Sequence, residues 1–478
     1  MPLTNIPRQE IPGTQVEFDN SGAVSTLGGL PQRMVVMGWF DNTATTPGLA
    51  TDRILTRVTS EADAHEKFGM GRAITNMIAA ALRARPNVEI WAVGFADSGA
   101  KPTGNVQLTG NANAGEAVVL EIAGQRLPII LTAGAISSPS NIAAIRAAFN
   151  NYGMKLPVKL DTTIANGDVA ATTVGQETKV TINLIARDPG TVGIVDIRIS
   201  PDDQLPDGVI VKAITPMTGG VSPAPDLASL SSILGERWYA SIVSPWTDTV
   251  SMTAIEIELT RRMSPAVALD MQSFVAVAGT SAALDTWKTT RNSPYVTSLQ
   301  AGIVMRSPAY VLAAIVAAID TMEPDPALPR KTLPIIGWTP PALKDRYSAA
   351  ELNILLGIGM ASYKVGDDNI ARIERLVTGY IKDANGTRDP SYHDIETIRT
   401  LSFIRHDQSD VIERDFARFK LADNGTRFAP GQAIVTPDIL RDAILARAII
   451  WEQNGLIEDF DDFKSSLIVQ RAADDVNA

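Results

Sequence analysis

The spacing of apolar positions divides this chain into stretches of different texture. Ile74, Met77, Ile78, Ala81 and Leu82 recur at i, i+3, i+4, i+7 and i+8, one face of a helix over residues 72–85, and Pro86 ends it. "VEIWAVGF" at 88–95 is a nearly unbroken apolar run and reads as a buried strand. Further on, Asp226 is placed to cap a helix carrying Leu227, Leu230, Ile233 and Leu234 on one face. "RWYASIV" at 237–243 reads as a strand, 249–263 as a helix and "QSFVAVAG" at 272–279 as a strand. Residues 281–291 and 309–322 read as helices. Helices alternating with strands predict a layered α/β domain.

The intervening 101–220 stretch is rich in Gly, Thr, Val and Asn and carries few charges. "GNVQLTG", "EAVVLEIAGQRLPIIL", "TKVTINLIAR" and "TVGIVDIRIS" read as strands bounded by turn residues, with one helix at 140–151. A mostly-β domain inserted into the α/β domain accounts for this order. Residues 1–25 hold Pro2, Pro7 and Pro12 and have no helical period, while Val16 and Phe18 alternate with Glu17 and Asp19. They predict an extended arm with one short strand. Beyond the proline-rich "EPDPALPRKTLP" at 323–334, a strand is predicted at 369–378 around Ile373 and Val377, then an Asn385-Gly386 turn and a helical region over 391–419. A last helix has Thr436 as its cap, Pro437 at its first position, Gly455 beyond its end, and a stripe of Leu440, Ile444, Ala448 and Trp451. The expected fold is a multidomain α+β and α/β chain. It has an N-terminal arm (1–25), a discontinuous α/β middle domain (26–100 plus 221–325), an inserted mostly-β domain (101–220) and a C-terminal α+β domain (326–478).

Composition narrows the classes of function. A net charge of −11 lacks the basic surplus of a nucleic-acid binder. The absence of cysteine removes disulfides, thiolate zinc sites, iron–sulfur clusters and cysteine nucleophiles. The longest apolar runs, such as 310–319, are too short to span a bilayer, and the first residues lack the pattern of a signal peptide. A soluble protein made in a cytoplasm is expected, with no membrane insertion.

Candidate chemistry is sparse. Ser391, His393 and Asp394 fall within four residues in "DPSYHDIETIRTL" and are the three side chains of a hydrolase triad. Residues at i and i+2 on a helix do not face each other, and no nucleophile elbow surrounds Ser391. Ser391-x-x-Asp394 instead has the spacing of a capping box, with Asp389 and Pro390 as an alternative helix start. "FGMGRA" puts Gly69-x-Gly71 before a helix but lacks the third glycine of a dinucleotide loop, so a helix-entry turn is expected. "VGDDN" at 365–369 lacks the alternating ligands of a calcium loop, and His65 and His406 have no second histidine at ligand spacing. No catalytic residue, metal site or cofactor is expected.

Segments spread over nearly the whole chain resemble one family. "FGMGRAITNMIAAALRARPNVEIWAVG", "LEIAGQRLPI", "LIARDPGTVGIVDIRI", "PWTDTVSMTAIEIELTRRMSP", "AGTSAALDTWKTTRNSPYVT", "IERLVTGYIKDANGTRDPSYHDIETIRTL" and "VTPDILRDAILARAIIWEQNGLIEDFDDFK" occur in the order of the tail sheath proteins of contractile bacteriophages, Mu-like branch. The resemblance implies a homo-oligomer of stacked six-membered rings around a tail tube, with baseplate and tail terminator proteins as further partners. It implies a sheath that contracts to drive the tube through the host envelope, assembled in the host cytoplasm and carried in the virion. A phage-derived injection device (tailocin) would use the same subunit. A serine hydrolase using Ser391 and His393, or a glycan-binding role for 101–220, are the other classes. The family's arms add strands to neighbouring subunits, which makes Gln15, Val16, Glu17, Phe18 and Asp19 the expected donated strand. A C-terminal helix of the family meets the tube, which makes Arg441 and Arg447 the expected tube-facing charges. Family members continue past the acidic turn into a further strand, and this sequence stops at "LIVQRAADDVNA" soon after it.

Overall fold

A computed structural model describes residues 30–41, 50–165, 167–174 and 177–471. The expected arm and its Gln15–Asp19 strand lie outside the described residues. Residues 31–399 form one compact unit, and the chain from Thr400 on belongs to a second.

The first unit is built on an eight-stranded sheet. Its order is Ala371–Arg375, Met360–Val365, Val296–Gln300, Gln272–Val277, Ser241–Val243, Arg33–Phe40, Glu89–Ala96 and Leu55–Val58. The six inner strands are parallel and the two edge strands antiparallel to their neighbours. The chain leaves Arg33–Phe40 for Glu89–Ala96 on one side and later resumes at Ser241–Val243 on the other, the switch of a doubly wound sheet. Strands covered on both faces need no polar alternation: seven of the eight residues of "RMVVMGWF" are buried. Ala309–Thr321 is buried on every side from Tyr310 to Thr321 and lies against Ala73–Ala84 and the sheet. That is why its sequence is apolar all round. Asp248 caps Thr249–Met263 by accepting from the Ser251 amide, and Ser348 and Glu351 form a reciprocal capping box on Ala349–Gly357.

Residues 103–218 enclose a core of their own. One sheet runs Val209–Thr218, Thr103–Ala112, Glu177–Ala186, Val158–Leu160, and a smaller one runs Ile197–Ile199, Ala117–Ile122, Gln125–Ile130. The Pro139–Asn151 helix packs on the latter. Two ionic clamps hold this part to the main sheet. Where the chain crosses, the buried Arg72 guanidinium reaches Asp97 at 2.7 Å and Asp188 at 2.9 Å, and Asp188 also accepts from the Ala73 amide at 2.7 Å. At a second point, the Ala117–Ile122 hairpin puts Glu121 against Arg306 and its tip carbonyl, Gly124, against Thr339. Gly124 has φ +75°, and a Cβ there would stand 2.2 Å from Ser307 Oγ, so only glycine fits the notch.

Several expectations are corrected. The "RWYASIV" strand is reduced to Ser241–Val243, and the helix expected after Asp226 to Leu230–Leu234, with the Asp226 carboxylate spent on the Ala228 amide and Arg53. Residues 326–399, expected in the C-terminal domain, supply two strands of the main sheet. The proline-rich stretch before them is not a free linker. Arg330 is buried on Asp320, and Thr332 and Ile335 donate backbone bonds to Ile373 and Ala371.

Within the second unit the chain continues the Ile395–Phe416 helix, pairs Lys420–Leu421 with Ile434–Val435 in parallel, and ends in the Pro437–Gln453 and Phe460–Ser466 helices. Thr436 accepts from the Ile439 amide and Pro437 follows it, as the sequence predicts. Ile444, Ala448 and Trp451 are buried along the expected stripe.

Candidate functional site

The triad-like residues sit in a loop, 378–394, that ends one residue before the Ile395–Phe416 helix. The helix therefore starts three residues later than a capping box at Ser391 requires. Asp389, not Asp394, organises the turn: its carboxylate accepts from the Ser391 amide and hydroxyl, both at 2.9 Å, and from Tyr380 OH at 2.6 Å. These donors hold the Asp389 carboxyl below its usual range, and the same bond pushes the Tyr380 phenol up to about 12. Asp394 leaves the turn altogether and binds Arg375 in a two-point pair at 2.9 and 3.0 Å. His393 Nδ1 lies 3.2 Å from the Tyr380 carbonyl. Ser391 and His393 share no hydrogen bond among the described residues, so the imidazole does not stand between hydroxyl and acid as a triad requires.

The loop is fixed from below by residues that pattern reading leaves unassigned. Asn292 Oδ1 accepts from the Ile381 and Lys382 amides, and its Nδ2 donates to the Lys382 carbonyl at 2.7 Å. Lys288, 2 % exposed, donates to the Gly379 and Arg291 carbonyls at 2.9 Å each. Burial pushes its ammonium down to about 8, against the pull of Glu256. At the tip, Asp383 Oδ1 accepts from the Asn385 and Thr387 amides, and Gly386 takes φ +80° in the expected Asn-Gly turn.

The remaining candidates resolve into structural roles. Gly69 and Gly71 have φ +88° and +71°, and a Cβ on Gly71 would meet the Leu156 carbonyl at 2.2 Å. The tight approach serves the inserted domain rather than a phosphate, and Arg72 beside it belongs to the ionic clamp. Asp368 in the 365–369 turn pairs with Arg372 at 2.6 Å. No group of residues with metal-binding geometry occurs among the described residues, and no helix among them is long and apolar enough to cross a membrane.

Arg447 is not a surface charge. Its side chain is 7 % exposed and forms a two-point pair with Asp407, whose carboxylate also accepts from Trp451 Nε1 at 2.7 Å. The seven-residue spacing that puts Arg447 near the apolar stripe is the signal for this burial. Arg441 is half-buried and donates to the Lys464 carbonyl at 2.7 Å, which ties the last two helices together.

Comparison with known proteins supplies what no single cluster does. The family model of the phage tail sheath C-terminal domain matches residues 387–478, from within this loop onward. The Mu-like prophage FluMu tail sheath protein of Haemophilus influenzae is 34% identical over 477 residues, covering 98% of this chain and 93% of that protein. Two solved sheath tail proteins are more distant. That of Desulfitobacterium hafniense has a TM-score of 0.45 at 15% identity, over 94% of this chain and 91% of its own. That of Listeria innocua has 0.46 at 14%, over 92% and 88%. On the full-length identity to the Haemophilus protein, the chain belongs to the phage tail sheath family, in its Mu-like branch.

Proposed function

We propose that this chain is the repeating structural subunit of a contractile tail sheath, polymerised as stacked six-membered rings around a tail tube. The observation that carries the reading is the 34% identity over 98% of the chain to a Mu-like tail sheath protein. The sheath works with baseplate and tail terminator proteins, is assembled in the host cytoplasm and becomes part of the virion. Its work is mechanical and not enzymatic. Of the C-terminal part, the chain from Thr400 on faces the tube, and residues 101–220 face outward. Gln15–Asp19 adds a strand to the sheet of a neighbouring copy, where main-chain bonds give affinity that survives changes in side-chain contacts. Arg441 remains the tube-facing charge, with Arg447 withdrawn to its internal role. A sheath subunit needs a stiff body, and the two ionic clamps between inserted domain and main sheet fit that need.

Purified protein, alone and with the tube protein of the same particle, is to be imaged by negative-stain electron microscopy. Stacked rings or tubes are expected. A chain that stays monomeric with and without the tube protein, at all concentrations, refutes the reading. Normal tubes from a chain lacking residues 1–20 refute strand donation alone.

A further inference from the structure

We infer that the tip of the 378–394 loop is a cationic contact for a second copy of this chain, which it meets at that copy's acidic segment 458–462. The contact rests on the sheath reading above, which brings copies side by side.

Lys382 and Arg388 face each other across an antiparallel bridge, so their side chains share one face. Both residues are exposed, and neither forms an ion pair among the described residues. Like charges directly opposite each other destabilise a strand pair. The loop could have answered them with its own acids, since Asp383 and Asp389 are each the next residue along. Both are turned inward instead. Asp383 closes the tip through the Asn385 and Thr387 amides, and Asp389 holds Ser391 and Tyr380. The acids are used to fold the turn, and the two cations are left pointing out.

The pair is also held still. Asn292 grips the backbone of Lys382 itself with two bonds, at 3.1 and 2.7 Å, and Lys288 fixes the loop's entry at Gly379. A charged tip ordered before binding loses little conformational freedom when a partner arrives. A floppy surface loop would gain little from an ion pair, because ordering it offsets the attraction.

The complement is on the same chain. Glu458, Asp459, Asp461 and Asp462 are all exposed and form no ion pair among the described residues. The Asp459 carboxylate caps the Phe460–Ser466 helix through the Asp462 amide, which fixes the segment's shape. In a polymer of a chain with net charge −11, every such acidic segment repels its neighbours unless a cation is set against it. Complementary rim charges of this kind set register and raise the rate of encounter.

The test is charge reversal and rescue in the full chain. K382E/R388E, E458K/D461K and the four-fold combination are purified. Their folding is checked by circular dichroism and melting, and assembly is read by sedimentation and electron microscopy at several salt concentrations. Each double reversal is expected to raise the concentration needed for polymers by at least about tenfold without moving the melt. The four-fold variant is expected to recover most of the loss, and wild-type assembly to weaken as salt rises. Reversed chains that polymerise like wild type overturn the contact while leaving the sheath reading intact. So does loss without rescue, which means that another acidic surface, or another protein, meets the loop. A wild-type chain that never polymerises overturns the reading and the contact together.

Discussion

Asp320 is the most exposed to test of the buried charges. Its side chain is wholly buried at the end of Ala309–Thr321 and lies between two guanidiniums, Arg330 Nε at 3.0 Å and Arg399 Nε at 2.7 Å. Arg330 and Arg399 are themselves 2 % and 5 % exposed. Arg399 spends its other nitrogens on the Ala240 carbonyl and Ser241 Oγ, both at 2.8 Å, at the start of a central strand. Asp320→Asn keeps the shape and removes the charge, leaving two buried cations facing a neutral amide. Removing one partner of a buried pair costs about 3–5 kcal/mol, and here one carboxylate serves both cations, so the upper part of that range is expected. Urea unfolding of the full chain, followed by tryptophan fluorescence, reads the loss as an earlier transition for the 31–399 unit. Arg399→Met should cost less, because Arg330 still neutralises Asp320. The double variant should cost less than the sum of the singles, by about 1–3 kcal/mol, since the second change removes a charge the first has stranded. A D320N transition within about 1 kcal/mol of wild type, or strict additivity in the double variant, refutes the claim that this carboxylate ties Arg330 of the proline-rich stretch and Arg399 to the sheet.

Two further outcomes follow from the same geometry. Lys288 has a folded pKa of about 8, depressed from 10.5, so between those values the unfolded chain binds more protons and the group's contribution to stability rises with pH. The stability of wild type minus that of Lys288→Met should therefore increase by up to about 3 kcal/mol from pH 8 to 10.5, and a flat difference would contradict the buried ammonium. Gly71→Ala must adopt φ +71° and seat its Cβ 2.2 Å from the Leu156 carbonyl, so a loss above about 2 kcal/mol is expected in thermal melts, and a neutral effect would mean the turn is free to move.

The sequence made some elements plain and hid others for physical reasons. Helices with one wet face were legible: Ala73–Ala84, Pro139–Asn151, Thr249–Met263 and Pro437–Gln453 lie within a residue or two of their predicted bounds. Their period reflects a boundary between core and water. The central strand Arg33–Phe40 received no prediction, although the sheet is wound about it. This run and the one at 88–95 both lack such a boundary, and only the latter, which follows the predicted helix and Pro86, is marked off by its neighbours as a strand. Val296–Gln300 was missed for the opposite reason. "VTSLQ" reads as polar, yet all five residues are buried, with Thr297 bonded to Gln272. The 378–394 loop was half legible. Its Asn385-Gly386 turn was read from two residues, whereas the roles of Asp389 and Asp394 depend on Tyr380 and Arg375, which local spacing does not include.

The same distinction explains why a triad-like string and an arginine pair both changed meaning. Ser391, His393, Arg441 and Arg447 were singled out by chemical type, and type says what a side chain could do when free. In the folded chain, Asp389 takes the Ser391 hydroxyl, the Tyr380 carbonyl faces the imidazole, and Asp407 takes the Arg447 guanidinium. The Arg441 charge is left without a carboxylate partner among the described residues, whereas Ser391, His393 and Arg447 are engaged inside the subunit. The two clamps at Arg72 and Glu121 extend this to the inserted domain, since attachment at the crossing alone would leave it a hinge, and the hairpin tip seated on Arg306 and Thr339 removes that freedom. Attachment at both points restricts motion of the inserted domain on the main sheet. Lys382 and Arg388, which form no ion pair among the described residues, stay exposed on a loop that Asn292 fixes, and are charges left available to a neighbouring copy.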